Sequence, residues 1–164
     1  MIALKYHMIR DDKEITDEET LKKILKTTQY VTLAMVKDNE PYLVSLSHGY
    51  DEENHCIYVH SAKKGKKLDF LRANPRVWGQ ALIDQGYVEI ECSHNYASVM
   101  FSGEMSFIED KEERWTAMSL MNRQLDPNAE DMIAKREPKS LDTAVIGKIS
   151  IDFWSGKKSE EVTV

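Results

Sequence analysis

Cysteine is scarce in this sequence of 164 residues, which contains only Cys56 and Cys92. The two do not form a Cys-x-x-Cys pair, so the sequence argues against a disulfide framework and against a zinc finger. The five histidines also lack the spacing of paired metal ligands, such as His-x-x-x-His. We therefore predict no metal site.

Long apolar runs are missing as well, and the amino-terminal residues contain no apolar signal segment. We expect a protein of the reducing cytoplasm that has no membrane partner. The 28 acidic residues outnumber the 22 basic ones, and a net charge of −6 argues against general nucleic-acid binding. With 41% apolar and 30% charged residues, the chain is typical of one soluble globular domain over residues 1–164.

Several common catalytic motifs are also absent. The sequence contains no Gly-x-x-x-x-Gly-Lys-Ser/Thr loop, no dinucleotide fingerprint and no Gly-x-Ser-x-Gly elbow. Its carboxylates are scattered and suggest no acid/base pair. Nothing here indicates a nucleotide-binding P-loop protein or a serine hydrolase.

The segments that remain predict short antiparallel strands with few helices. Thr16 and Glu19 form a capping-box pattern, which predicts a helix through about residue 28. Strand-forming residues and turn residues then predict a meander over 30–36, 42–50 and 56–59, followed by strands over 77–83, 87–92, 97–108 and 144–154. Gln85-Gly86 is the expected turn, and Gly103 is the expected bulge or close-approach site. A helix is predicted over 111–125, and a helix fragment with a loop over 128–143.

The strand over 42–50 has one unusual face. Alternation places Tyr42, Val44 and Leu46 on one side, and Leu43, Ser45 and Ser47 on the other. The second side is small and polar, so it could lie against a ligand. The alternative is an ordinary solvent-facing side of a sheet.

A basic stretch stands out in this acidic chain: I-Y-V-H-S-A-K-K-G-K-K-L-D-F-L-R-A-N-P, residues 57–75. It predicts a strand, then a turn holding His60, Ser61 and Gly65, then a helix ending before Pro75. Lysines crowd the helix start, at positions 63, 64, 66 and 67, where the helix dipole is already positive. A bound phosphate would resolve this conflict, because free backbone donors, a hydroxyl and ammonium groups converge there. The alternatives are a solvated basic turn and, for His60, a histidine bonded to backbone.

The same stretch resembles the flavin-phosphate motif of the pyridoxamine 5′-phosphate oxidase-like split-barrel proteins, especially the branch of nitroimidazole-resistance proteins. Three further segments follow that branch in order: P-Y-L-V-S-L-S-H-G-Y, Y-A-S-V-M-F-S-G-E-M-S-F-I-E-D-K-E-E-R and I-D-F-W-S-G-K. The resemblance covers residues 10–157. It implies a mainly β (α+β) fold, a six-stranded antiparallel split barrel with peripheral helices, forming a homodimer with FMN in clefts at the subunit interface.

The resemblance also implies site residues. It assigns the flavin phosphate to Ser61, Lys66 and Lys67, and places His60 and Ala62 next to the cofactor. The ring would lie along Val44, Ser45 and Leu46, with Gln80 as a further contact and Trp154 approaching from the partner chain. His60 would be on the substrate side and is the active-site candidate.

Two departures from the family pattern argue against vitamin B6 oxidation. The chain lacks the Arg-Leu-His-Asp-Arg stretch that follows E-F-W-Q-G in the oxidases, and no arginine lies near Val44. We therefore expect an FMN protein that passes electrons from a nicotinamide donor to a small organic acceptor, with nitroaromatics as one candidate class. The alternatives are a haem-binding or deazaflavin-binding split barrel, and a protein that binds flavin without catalysis.

Overall fold

The computed structural model describes residues 8–135 and 139–164. Its strands are β1 (Glu14–Ile15), β2 (Tyr30–Lys37), β3 (Glu40–Asp51), β4 (Cys56–Ala62), β5 (Arg76–Val88), β6 (Ser93–Phe107) and β7 (Ala144–Lys158). Its helices are α1 (Glu18–Thr27), α2 (Lys66–Ala73), α3 (Lys111–Leu125), α4 (Ala129–Lys135) and α5 (Lys139–Thr143). The predicted order of helices and strands is confirmed except in two places: β1 was not predicted, and the three strands predicted over 77–83, 87–92 and 97–108 are only two, β5 and β6.

Six long antiparallel strands form a ring. The order β7-β4-β3-β2-β5-β6 is closed by pairing of β6 with β7, and the short β1 joins the free end of β7. Closing a sheet in this way removes its free edges wherever neighbouring strands stay paired. The predicted six-stranded split barrel with peripheral helices is confirmed.

Two hydrophobic clusters stabilise the barrel. The larger cluster fills the ring, and α1 closes it with Leu21, Ile24 and Leu25. The smaller cluster lies outside, where α3 packs on β4 through Ala117 and Met121. Trp115 and Met118, which lie at helical spacing in the sequence, pack against this second cluster, so the stripe they form is core.

The start of α1 differs from the prediction. Asp17, rather than Thr16, is the N-cap, and its carboxylate accepts hydrogen bonds from the backbone N–H groups of Glu19 and Thr20. Aspartate is on average the better N-cap, and the capping-box spacing of Thr16 with Glu19 led the prediction to the weaker candidate. The capping-box assignment to Thr16 was wrong by one residue.

The turn between β5 and β6 was also placed wrongly. Gln85-Gly86 does not reverse the chain, because β5 continues to Val88 with a register irregularity between Asp84 and Tyr87. Gly86 has a φ of 94° and donates its N–H to the Asp84 carboxylate at 2.8 Å. The glycine therefore forms a bulge, and the chain reverses over residues 89–92 instead.

The irregularity predicted at Gly103 is confirmed. The pairing of β6 with β7 shifts register between Ser102 and Gly103, which leaves Asp152 as the extra residue of β7. A Cβ atom on Gly103 would lie 2.2 Å from the backbone oxygen of Ser150. Only glycine fits this close approach of two strands.

Candidate functional site

The ring opens between β3 and β4. The two strands pair from Asp51–Cys56 to His48–Val59, and beyond this point β4 pairs only with β7, as far as Ala62. In the described part of the chain, residues 40–47 of β3 pair only with β2. A cleft therefore lies between β3 and the second half of β4.

This geometry corrects the predicted turn. His60 and Ser61 are strand residues that pair with Ile146 and Val145 of β7. The sequence reasoning ended the strand at residue 59 because the apolar run stops there, and the pairing with a distant strand left no local signal. The loop before α2 is thus limited to residues 63–65.

The cleft has an apolar floor and two polar side chains. Ser61 and Lys67 line it together with Leu46, Val59, Leu68, Leu71, Met105, Phe107, Val145 and Gly147. Ser61 Oγ donates a local hydrogen bond to the backbone oxygen of Ala62 at 3.1 Å. Ser61 and Lys67 therefore border one small pocket whose surface is almost entirely apolar, which suits the apolar neighbour of an anionic group rather than the anion itself.

Helix α2 begins beside this pocket. Its N-cap is Gly65, with a φ of 136°, and no side chain in the described residues caps the helix. The Leu68 N–H donates to the Gly65 carbonyl at 2.9 Å, whereas the first two N–H groups of the helix have no such side-chain cap, and such a helix start favours an anion. Lys63 and Lys64 are exposed next to it. The predicted anion site is consistent with this arrangement.

Lys66 differs from the other three lysines. Its Nζ donates to Glu40 Oε1 at 2.6 Å and lies 5.0 Å from the centre of the Tyr42 ring and 5.2 Å from that of Phe70. Within residues 8–135 and 139–164, Lys63, Lys64 and Lys67 form no ion pair. Of the three residues predicted to hold phosphate, the structure brings Ser61 and Lys67 to one pocket and directs Lys66 toward β3.

Strand β3 forms the opposite wall. Val44 and Leu46 pack against the core, as the alternation predicted, whereas Ser45 is exposed. Ser45 Oγ bonds to Thr32 Oγ1 at 2.9 Å, and Thr32 is the register partner of Gln80. Ser45, Thr32 and Gln80 thus form a polar row on the outside of the ring, and the side of β3 that faces the cleft offers backbone groups without strand partners.

His60 and Ala62 lie on the other side of β4 from Ser61, because successive side chains of a strand alternate. Both are exposed. They form the outer rim of the cleft rather than its floor. The catalytic role of His60 and the contact of Ala62 with a cofactor stay predictions.

Trp154 is far from this pocket within its own chain. It packs against the core, and its ring lies 4.5 Å from that of His55, edge to face. Val145 is the register partner of Ser61, and Trp154 is nine residues further along β7, about 30 Å at the rise of an extended strand. At this separation along β7 the two side chains are not expected to reach one small ligand, and the approach of Trp154 from a partner chain stays a prediction.

Sequence reasoning missed an apolar surface on the outside of the ring. Among its large exposed side chains are Tyr30 (59% exposed), Leu43 (65%), Trp78 (45%), Leu82 (50%) and Met100 (46%). They lie on the adjacent strands β2, β3, β5 and β6. We call this set the outer apolar face. In the sequence, apolar residues on both faces of these strands would have indicated this surface. An exposed apolar surface of this kind is typical of a protein interface.

The described residues contain neither a candidate metal cluster nor a membrane-spanning helix. No group of three histidine, cysteine, aspartate or glutamate residues within 8–135 and 139–164 could hold a metal ion. Across the same ranges, no helix has the length and apolar character needed to cross a bilayer.

The split barrel and its open cleft define the class of protein, and a family comparison agrees. The model of the pyridoxamine 5′-phosphate oxidase family matches residues 17–158, so the chain belongs to this family. A search of curated proteins gave no significant match.

Solved structures share the fold at low sequence identity. A candidate 5-nitroimidazole antibiotic resistance protein from Bacteroides thetaiotaomicron is 23% identical, with a TM-score of 0.75 and coverage of 88% of this chain and 85% of that one. A flavocytochrome from Azotobacter vinelandii is 17% identical, with a TM-score of 0.79 and coverage of 97% and 75%. An FAD- and haem-binding protein from Mycobacterium smegmatis is 22% identical, with a TM-score of 0.75 and coverage of 93% and 76%.

Proposed function

We propose that the chain is a homodimeric FMN protein that transfers electrons from NADH or NADPH to a small organic acceptor. The observation that carries this proposal is the cleft where β4 leaves β3. There Ser61 and Lys67 line one pocket beside the uncapped start of α2. Family membership supports the same reading, because it makes a flavin the first cofactor to test.

The residues of the cleft suit the two chemical ends of FMN. Ser61, Lys67 and the N–H groups of the α2 start would hold the phosphate. The backbone of residues 44–46, which has no strand partner on the cleft side, would bond the polar edge of the ring. Gln80 continues the polar row of Ser45 toward the outer apolar face.

The outer apolar face supports a homodimer with the clefts at its interface. Gln80 pairs in register with Met100 on that face, so the cleft wall and the apolar surface are continuous. A second copy that covers the face would shield a ring lying along β3 from water. It could also bring its own β7 near the cleft, which Trp154 of the same chain is not expected to reach.

When bound, FMN supplies the redox chemistry. The chain's own part is to bind the phosphate, orient the ring along β3 and exclude water. His60, exposed on the rim, is a candidate proton donor to the acceptor. The Bacteroides structure, described as a candidate 5-nitroimidazole antibiotic resistance protein, supports nitroaromatics as the first acceptors to screen.

Haem is the second candidate cofactor, because two structural neighbours are described as a flavocytochrome and as an FAD- and haem-binding protein. Haem would need an axial ligand. His94 is bonded to Asp84 at 2.7 Å, so the exposed His60 is the more available histidine of the two. Loss of a haem spectrum in His60→Ala but not in His94→Ala would favour this function.

The test of the redox proposal is the visible absorption of the purified protein with added FMN and then NADPH, without oxygen. We expect flavin bands that bleach on addition of NADPH and return when a nitroaromatic is added. Flavin that stays oxidised with both NADH and NADPH would contradict the reductase and leave a binding role. A Soret band that is unaffected by FMN would replace FMN with haem.

A further inference from the structure

An acidic residue neutralises one lysine of the proposed phosphate site. Glu40 is the first residue of β3, and its carboxylate accepts a hydrogen bond from Lys66, the first residue of α2. Both side chains are about half exposed, at 61% and 52%. The ion pair therefore links the start of β3 to the start of α2, at one end of the cleft.

Both partners are held in place by their surroundings. Glu40 follows a tight turn in which Asp38 and Asn39 have positive φ angles of 50° and 63°, and it pairs in register with Lys37. The Lys66 ammonium lies over the rings of Tyr42 and Phe70, which themselves pack 5.3 Å apart. Cation–π contact and the carboxylate attract the same ammonium, so both favour the conformation directed away from Ser61.

This inference rests on the proposed flavin function. We propose that Glu40 is a specificity-determining residue, which competes with the flavin phosphate for Lys66 and so reduces the preference for FMN over riboflavin. For Lys66 to contribute to phosphate binding, its ammonium must leave Glu40. Lys67 has no such competitor among the described residues, and it contributes its charge in full.

The test compares two ligands that differ only in the phosphate. In Glu40→Gln, we expect the Kd for FMN to fall about two- to fivefold, the range for one partly exposed ion pair. The Kd for riboflavin should not change, because riboflavin carries no group for Lys66 to bind. A purely structural role of Glu40 would shift the affinity for both ligands together, so the FMN-to-riboflavin ratio is the decisive measurement.

A double-mutant cycle shows whether the effect passes through Lys66. Lys66→Met retains an apolar stem over Tyr42 and Phe70 but removes the charge. In this background Glu40→Gln should leave the FMN-to-riboflavin ratio unchanged. A ratio that still shifts would overturn the inference, because Glu40 would then act through its long-range charge.

A matched control is Glu130→Gln, which breaks the exposed pair of Glu130 with Arg123 and changes the net charge equally. We expect no effect on either ligand. An unchanged ratio in Glu40→Gln, in a protein that binds FMN more tightly than riboflavin, would overturn this inference alone. If neither flavin binds the unmodified protein, the proposed function itself fails.

Discussion

The two halves of β4 have different surroundings. Residues 56–59 are at most 3% exposed and pair with β3 on one side and β7 on the other, under the cover of α3. Residues 60–62 pair with β7 alone and carry exposed or half-buried side chains. The first half is scaffold and the second half is the candidate site. β4 therefore positions the candidate site because it stays paired with β7 beyond Val59, the last residue that pairs with β3.

Two histidines mark this boundary. His48 belongs to the last β3–β4 pair, is fully buried, and bonds to the backbone oxygen of Leu25 through Nε2 at 2.8 Å. His60 comes one residue after the last paired position of β4 and is exposed. Histidine is therefore a buried structural residue on one side of the boundary and an exposed residue on the other.

The largest expected effect comes from disrupting the first half of β4, residues 56–59, which is paired on both sides. Ile57→Ala should lower the free energy of unfolding by about 2–5 kcal/mol, because Ile57 is fully buried in the ring and its loss leaves a cavity. His60→Ala, three residues later, should change it by less than about 0.5 kcal/mol. Urea unfolding of both variants measures this difference. Equal destabilisation would contradict the division of β4 into two halves.

The second largest expected effect on stability comes from the packing of α3 against the first half of β4 and its partner strand β3. A Cβ atom on Gly49 would lie 2.5 Å from Leu120 Cδ2 and 2.9 Å from the Met121 Cα atom. We expect Gly49→Ala to cost about 1–3 kcal/mol of unfolding free energy through overpacking. Ser47→Ala, on the same side of β3 but exposed, is the control and should be close to neutral. A neutral Gly49→Ala would show that α3 does not fix this half.

The stability contributed by His48 should depend on pH. Burial lowers the pKa of His48 below its ordinary value of 6.5, although bonds to backbone oppose the shift. The unfolded chain then binds the proton more tightly, so the contribution is complete above pH 6.5 and is lost as the pH falls below it. The slope from this one group is at most about 1.4 kcal/mol per pH unit.

Urea unfolding between pH 5 and 8 should therefore show a shallower acid slope in His48→Gln than in the unmodified protein. If His48→Gln retained the full acid slope, another group would be responsible for it.

Much of the fold could be predicted because local patterns coincide with it. Alternation along β3 correctly separated Val44 and Leu46 from Ser45, and the helical spacing in α3 correctly indicated a packed helix. The errors occurred where two local signals pointed to different residues, or where pairing with a distant strand decided the structure. The capping-box pattern favoured Thr16 although aspartate is the stronger cap, and Gly86 suits a bulge as well as a turn.

The candidate site was only partly readable from the sequence. The basic stretch indicated an anion, and the structure does bring Ser61 and Lys67 to one pocket. The extension of β4 through residue 62 depends on pairing with β7, more than 80 residues later, and left no local pattern. The pairing of Lys66 with Glu40 joins residues that are 26 positions apart, and a sequence rich in charge offers many such partners.

The most direct test of the account is an FMN titration of Ser61→Ala/Lys67→Met beside the unmodified protein, followed by flavin fluorescence. Removing a hydroxyl and an ammonium group that would bond the phosphate should weaken FMN binding by about tenfold or more. Riboflavin affinity and the thermal unfolding midpoint should stay near their original values. A folded variant that binds FMN as tightly as the unmodified protein would contradict the account. The second half of β4, residues 60–62, would then not be part of the flavin-phosphate site.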